Sequence, residues 1–243
     1  MTEATTLTYL DAYCERAGDA GLWAEPLNAS TNLAFIIAAL ITARALRGNA
    51  FKTHWDLWAL TLTLFSIGVG SGLWHLFATH ETLLADVIPI GIFIHLFFYA
   101  TLRRIFNLSW WKALVGVGAF IGISTIVGKY LPPDMFNGSI MYLPAISALA
   151  LFTVALYIKP SSPESLILGR SMDSPRIRSA NSGNDKKIAT GFAVALVVFI
   201  VSILFRTIDM NMCASIPIGT HFMWHVFNAY VLYRLLIDLI NQS

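Results

Sequence analysis

Residues Gly219–Tyr230 read GTHFMWHVFNAY and open the last long apolar run of the chain. His221 and His225 are four positions apart, so a helix stacks them on one face. Imidazoles inside an apolar helix are costly unless something uses them. Residues Gly70–Pro89, GSGLWHLFATHETLLADVIP, repeat the device, with Ser71 and His75 four apart and Asp86 following. Three imidazoles, one carboxylate and one hydroxyl thus stand at the ends of apolar runs. That inventory suits a metal-activated water inside a membrane bundle.

Only 12% of the 243 residues are charged and 56% are hydrophobic, with a mean hydropathy of +0.66. Soluble domains carry about 25% charged residues, so the chain reads as an integral membrane protein. The net charge is +2, and no Lys/Arg stripe is interleaved with aromatics, which removes nucleic-acid binding from consideration. No Walker or dinucleotide motif is present. Lys129 and Lys159 lie at helix ends, which argues against a Schiff-base pigment. Residues 1–29 lack a basic segment followed by an apolar one, so the first hydrophobic helix is expected to act as its own targeting signal.

Seven stretches approach the length of about 20 residues that spans about 30 Å of hydrocarbon. The expected helices start near Thr31, then run over Asp56–Ala78, Leu83–Thr101, Trp110–Val127, Ile140–Ile158, Ile188–Phe205 and Ile218–Leu239. A polar arm, residues 1–29, precedes a helical domain, residues 30–240. Residues 159–187 are rich in Pro, Ser, Gly and charge, and read as a flexible cytoplasmic loop. Lys and Arg cluster in the 1–2, 3–4 and 5–6 connections. The positive-inside rule then places the N-terminus outside and the C-terminus in the cytoplasm. In that topology His75, Asp86, His221, His225, Glu25 and Asn28 gather at the outer ends of their helices, on the same side as Cys14 and Cys213.

Three histidines at one depth suit catalytic zinc, which takes three protein ligands and keeps a fourth position open. The bland alternative is a set of hydrogen-bonded bundle contacts. His54, His80 and His95 are weaker cases at interfaces or mid-helix. Asp86 reads as general base and then acid, or as a charge favoured at a helix N-terminus. Ser71 reads as a stabiliser of the oxyanion or bound water, or as an intrahelical hydrogen bonder. Asp11, Glu15, Asp19, Glu25 and Asn28 are either a solvated acidic face or oxygen ligands for calcium, although no EF-hand spacing is present. Cys14 and Cys213 allow one disulfide or none. The tryptophans suit an interfacial belt, and Trp74 and Trp224, which neighbour the proposed ligands, read either as belt residues or as packing for the site.

Four segments give the chain a family likeness: YCERAGDAGLWAEPLNASTNLAF, GSGLWHLFATHETLLADVIP, FRTIDMNMC and THFMWHVFNAY. Through them it resembles the alkaline ceramidases, part of a larger group of seven-helix hydrolases that includes adiponectin-receptor-like proteins. The resemblance runs over nearly the whole chain. It implies zinc on His75, His221 and His225, with Ser71 and Asp86 nearby in an intact Ser-x3-His-x10-Asp spacing. It also implies pairing of Cys14 with Cys213, and Asp209 falls in the same pattern. Relatives with a calcium site carry an Asp-Trp-Cys-Glu-x-Asn run and a later Glu. Here the run is Ala12-Tyr13-Cys14-Glu15-Arg16-Ala17, so Glu15 and Glu25 carry over while the Asp and Asn do not.

The resulting expectation is an all-α membrane protein, a seven-helix zinc amidohydrolase. It would cleave a membrane lipid amide, ceramide by resemblance, into sphingoid base and fatty acid. Hydrolysis of another acyl lipid, amide or ester, and a zinc-containing receptor without turnover are the alternatives.

Overall fold

The computed structural model describes residues 9–48, 51, 53–158 and 175–242. The chain forms an all-α bundle. The first crossing is built from α1 (Pro26–Thr31) and α2 (Leu33–Ala45). Then follow α3 (Trp55–Phe77), α4 (His80–Arg104) and α5 (Trp110–Tyr130). A 3-10 turn, Ser139–Tyr142, leads into α6 (Leu143–Ile158), followed by α7 (Pro175–Met212) and α8 (His221–Ile240).

Among the described residues, 6 helical segments are long and apolar enough to cross a membrane. The protein is therefore multi-pass. The seventh long helix, α8, is 20 residues long and carries His221, His225, Asn228, Arg234 and Asp238.

Several helices begin earlier than the apolar periodicity predicts, and capping chemistry explains two of them. The first starts at Pro26 rather than near Thr31. Proline suits the first helical turn because its missing N–H costs nothing there. The Glu15 carboxylate accepts from the Leu27 and Asn28 amides at 2.7 and 2.8 Å, satisfying donors the helix itself cannot. Helix α4 starts at His80 rather than Leu83, because Thr79 and Thr82 exchange reciprocal side chain–backbone bonds in a capping box. Helix α7 starts at Pro175, inside the stretch expected to be a loop, and its apolar span is Asp185–Met212. The remainder of that expected loop, residues 159–174, lies outside the described residues.

The core joins Phe35, Leu60, Leu64, Phe93, Phe192 and Leu236, contributed by α2, α3, α4, α7 and α8. Near the other end of the bundle from the histidines, Arg104 clasps Asp56 with both donors, Nε to Oδ2 at 2.7 Å and Nη2 to Oδ1 at 2.6 Å. This fork closes the start of α3 on the end of α4.

Helices α3 and α4 come close at Gly70, where a Cβ would overlap the Ala85 carbonyl. Asp86 is the next residue, so this contact also fixes its distance from Ser71. Gly70→Ala should lower stability by about 1–3 kcal/mol through overpacking. Gly72→Ala is the control, because a Cβ there meets only Asn32 Cβ at 3.9 Å. Thermal unfolding in detergent should show a lower midpoint for the first variant and an unchanged or higher one for the second.

Candidate metal centre

The arm and the last two helices are joined before any histidine is placed. Cys14 and Cys213 form a disulfide across 199 residues of sequence. Asp209, fully buried near the end of α7, accepts three backbone N–H bonds. They come from Cys14 at 3.0 Å, Thr220 at 2.5 Å and His221 at 2.9 Å. One carboxylate therefore holds the arm and the first turn of α8 in register. Gly219 turns into α8 with φ +66, and a Cβ there would run into Asp209 and Cys14. Tyr13 then stacks on the His221 ring with centroids 3.7 Å apart.

His75, His221 and His225 converge. Their ligand atoms lie within 4.8 Å of one another, and all three side chains are buried. Hydrogen bonding assigns their protons. His75 Nδ1 is 2.5 Å from Glu25 Oε2, a pure acceptor, so the proton sits on Nδ1. Thr31 donates its hydroxyl hydrogen to the Leu27 carbonyl at 2.7 Å, so it accepts from His225 Nδ1 at 2.9 Å. Both neutral rings then carry a lone pair on Nε2, and these two atoms stand 3.1 Å apart.

Facing lone pairs repel, and a cation bound to both removes the repulsion. Two nitrogens on one tetrahedral zinc, each at 2.0–2.1 Å, are separated by about 3.3 Å. His221 Nδ1 is buried without a hydrogen-bond partner, a further sign that this ring serves something other than packing. The donor set and its geometry fit a divalent metal of the zinc type.

Ser71 and Asp86 lie at the same end of α3 and α4. Ser71 and Asp86 are close enough to influence one another, and Asp86 is within electrostatic reach of His75. Asp86 Oδ1 is buried and unpartnered, so it has a free lone pair inside the site. His95 bonds the Gly91 carbonyl of its own helix at 2.7 Å. His54 and His80 stand at helix starts and are not part of the converging group.

The described acidic residues of the arm either bond other parts of the protein or stand at its surface. Among the described residues, the His triad is the only converging group of three or more metal-ligating side chains. Asp11 and Asp19 are exposed. Asp19 Oδ1 accepts from the Gly21 amide at 2.8 Å. Glu15 is committed to the start of α1. Burial pushes its carboxyl up from the ordinary range, against the lowering effect of those amide bonds.

Glu25 already has cationic and polar partners. Arg16 Nε donates to its Oε1 at 2.6 Å, while Asn28 Nδ2 and His75 Nδ1 meet its Oε2. Burial disfavours its charge, but the bonds from His75, Asn28 and Arg16 prevail and hold its carboxyl below the ordinary carboxylate range.

Two residues, Arg16 and Thr31, were not legible as parts of the site, and two tryptophans resolve an open choice. Arg16 was not singled out, although a lone Arg among carboxylates is itself a pairing signal, and it bonds Glu25 and the His75 carbonyl. Thr31, which marked the expected start of the first helix, orients His225. Trp74 and Trp224 are buried beside the site rather than standing in an interfacial belt, whereas Trp23, Trp110 and Trp111 are exposed.

No curated protein sequence matches this chain. The family model described as Ceramidase matches residues 13–241, which include the arm cysteine, all three histidines, Ser71 and Asp86. A match over nearly the whole chain, joined to a buried His75–His221–His225 cluster, shows that the protein belongs to the ceramidase family.

Proposed function

We propose that this membrane protein is a zinc-dependent amidohydrolase that cleaves a ceramide-like lipid into a sphingoid base and a fatty acid. The observation that carries this reading is the buried convergence of His75, His221 and His225 in a chain of the ceramidase family. Zinc held by these residues would supply Lewis acidity and bring the ionisation of a water towards neutral pH.

The surrounding residues have roles that follow from their contacts. Glu25 and Thr31 hold the Nδ1 protons of His75 and His225, which leaves both Nε2 lone pairs directed inward. Asp86 Oδ1 accepts a proton from the attacking water and delivers it to the amide nitrogen as the C–N bond breaks. Ser71, beside Asp86, steadies the carbonyl oxygen as negative charge develops there.

An apolar pocket lined by Phe35, Ile67, Phe93, Tyr142, Trp224 and Leu232 begins beside the histidines. Phe35 and His225 have ring centroids 6.5 Å apart. A second pocket, lined by Phe97, Phe98, Leu149, Phe152 and Leu235 among others, shares Phe93 and Leu232 with the first. Together they offer hydrocarbon chains a path along the bundle interior with the amide at the metal end. We read the bundle as seven crossings with the N-terminus outside and the C-terminus cytoplasmic. The Lys/Arg distribution supports this, as does the placement of a disulfide on the arm side. The arm, residues 1–29, is read as an extracytoplasmic cover, with zinc as the metal and no role for calcium.

Elemental mass spectrometry on protein purified without chelator should find near one zinc per chain. His75→Ala, His221→Ala and His225→Ala should each lose it while remaining folded. A folded parent without zinc, or variants that all keep it, would falsify the metal assignment. Asp86→Asn should retain zinc and lose about 10²–10⁴-fold in kcat, the usual contribution of a general acid–base group. Product release measured across N-acyl and O-acyl lipids then tests the bond: turnover confined to esters would return the substrate to a different acyl lipid.

A further inference from the structure

Arg16 is 1% exposed and heads the large side chains that are fully enclosed in the protein. A guanidinium removed from water has to find acceptors for its N–H groups. The arm that carries Arg16 is otherwise acidic, and its partners are all oxygens. Nε donates to Glu25 Oε1 at 2.6 Å, one terminal nitrogen to the Asp19 carbonyl at 3.0 Å, and the other to the His75 carbonyl at 3.0 Å. The Tyr9 ring lies 5.8 Å from the guanidinium carbon. A carboxylate and two backbone carbonyls around one charge are the donor mix that a hard cation takes.

Two of these bonds converge on one metal-site residue. Arg16 reaches His75 through Glu25, whose other oxygen meets the His75 ring at Nδ1. It also reaches His75 directly at the backbone carbonyl, in the last turn of α3. Carbonyls in that turn lack intrahelical donors, and positive charge is favoured there. The ring and the backbone of His75 are thus anchored to a single rigid fork.

We propose that Arg16 is a positioning residue of the zinc site, a tethered guanidinium that occupies the oxygen-lined position in the arm in place of a bound hard cation and orients His75 from both sides. The inference rests on the zinc reading above. Asn28 and Glu15 complete the assembly from α1 and the arm: Asn28 steadies Glu25, and Glu15 steadies the helix start that carries Asn28. Lysine cannot replace Arg16 fully, because one ammonium does not reproduce a planar fork that bonds three acceptors.

The test uses full-length protein in detergent, with the parent, Arg16→Ala and Arg16→Lys compared. Folding is read by thermal unfolding, zinc affinity by competition with a chelator, and turnover as separate kcat and KM. Zinc binding should weaken about 10–100-fold in Arg16→Ala, the usual effect of losing a residue that orients a metal ligand. Millimolar guanidinium or methylguanidinium should restore zinc affinity in that variant, while equal sodium chloride should not. Arg16→Lys should lie between parent and Arg16→Ala, and millimolar calcium should leave the parent unchanged.

A folded Arg16→Ala with parental zinc affinity, or a loss that guanidinium does not repair, overturns the proposal. So does a parent that needs calcium. If Arg16→Ala does not fold, Arg16→Lys decides: unchanged zinc affinity overturns the proposal and weakened affinity supports it. A parent that binds no zinc defeats the functional reading itself, whereas a zinc-bound parent indifferent to Arg16 defeats this inference alone.

Discussion

Two imidazole nitrogens 3.1 Å apart, neither carrying a proton, are the constraint around which the arm-side end of the bundle is built. The arrangement is unfavourable by itself, because facing lone pairs repel and buried polar atoms ordinarily find partners. It persists because each ring is held from behind. Glu25 grips His75, Thr31 grips His225, and Asp209 grips the backbone from which His221 projects. The site is thus pre-organised for a cation by groups that do not touch the cation position.

Those supporting groups explain otherwise puzzling features of the fold. The arm is polar yet partly buried, because its Arg16, Cys14 and Tyr13 all reach into the bundle end. The first crossing begins with a short helix whose exposed amides are satisfied by Glu15, and this keeps Asn28 and Thr31 against the site. Gly70 lets α4 come close enough to bring Asp86 near Ser71. At the far end Asp56 and Arg104 form a closed ion pair. In an apolar solvent an unpaired charge is costly, which favours such pairing.

How much was legible in the sequence follows from the range of each interaction. Helix spans came from long apolar runs, and the triad came from two i,i+4 pairs at helix ends, both local signals. The start of α7 was misplaced because Pro175 opens a helix through polar sequence with no apolar face to announce it. The calcium reading gained no support, for a different reason. Acidic residues close in sequence were taken as neighbours in space, whereas Glu15 turned to a helix start, Glu25 turned to Arg16 and His75, and Asp11 and Asp19 stayed at the surface.

By itself the sequence determined the solvent, the helical class and the chemistry of the inventory. Composition and run length decide membrane insertion, and residue type decides which atoms can ligate or titrate. Only the tertiary structure decided which atoms face which. The Nε2 contact spans 150 residues of sequence, the disulfide spans 199, and Arg16 meets His75 across 59. Such contacts depend on helix packing and cap geometry, which no local pattern encodes. Tautomer, ligand direction and the role of Arg16 are therefore properties of the assembled bundle.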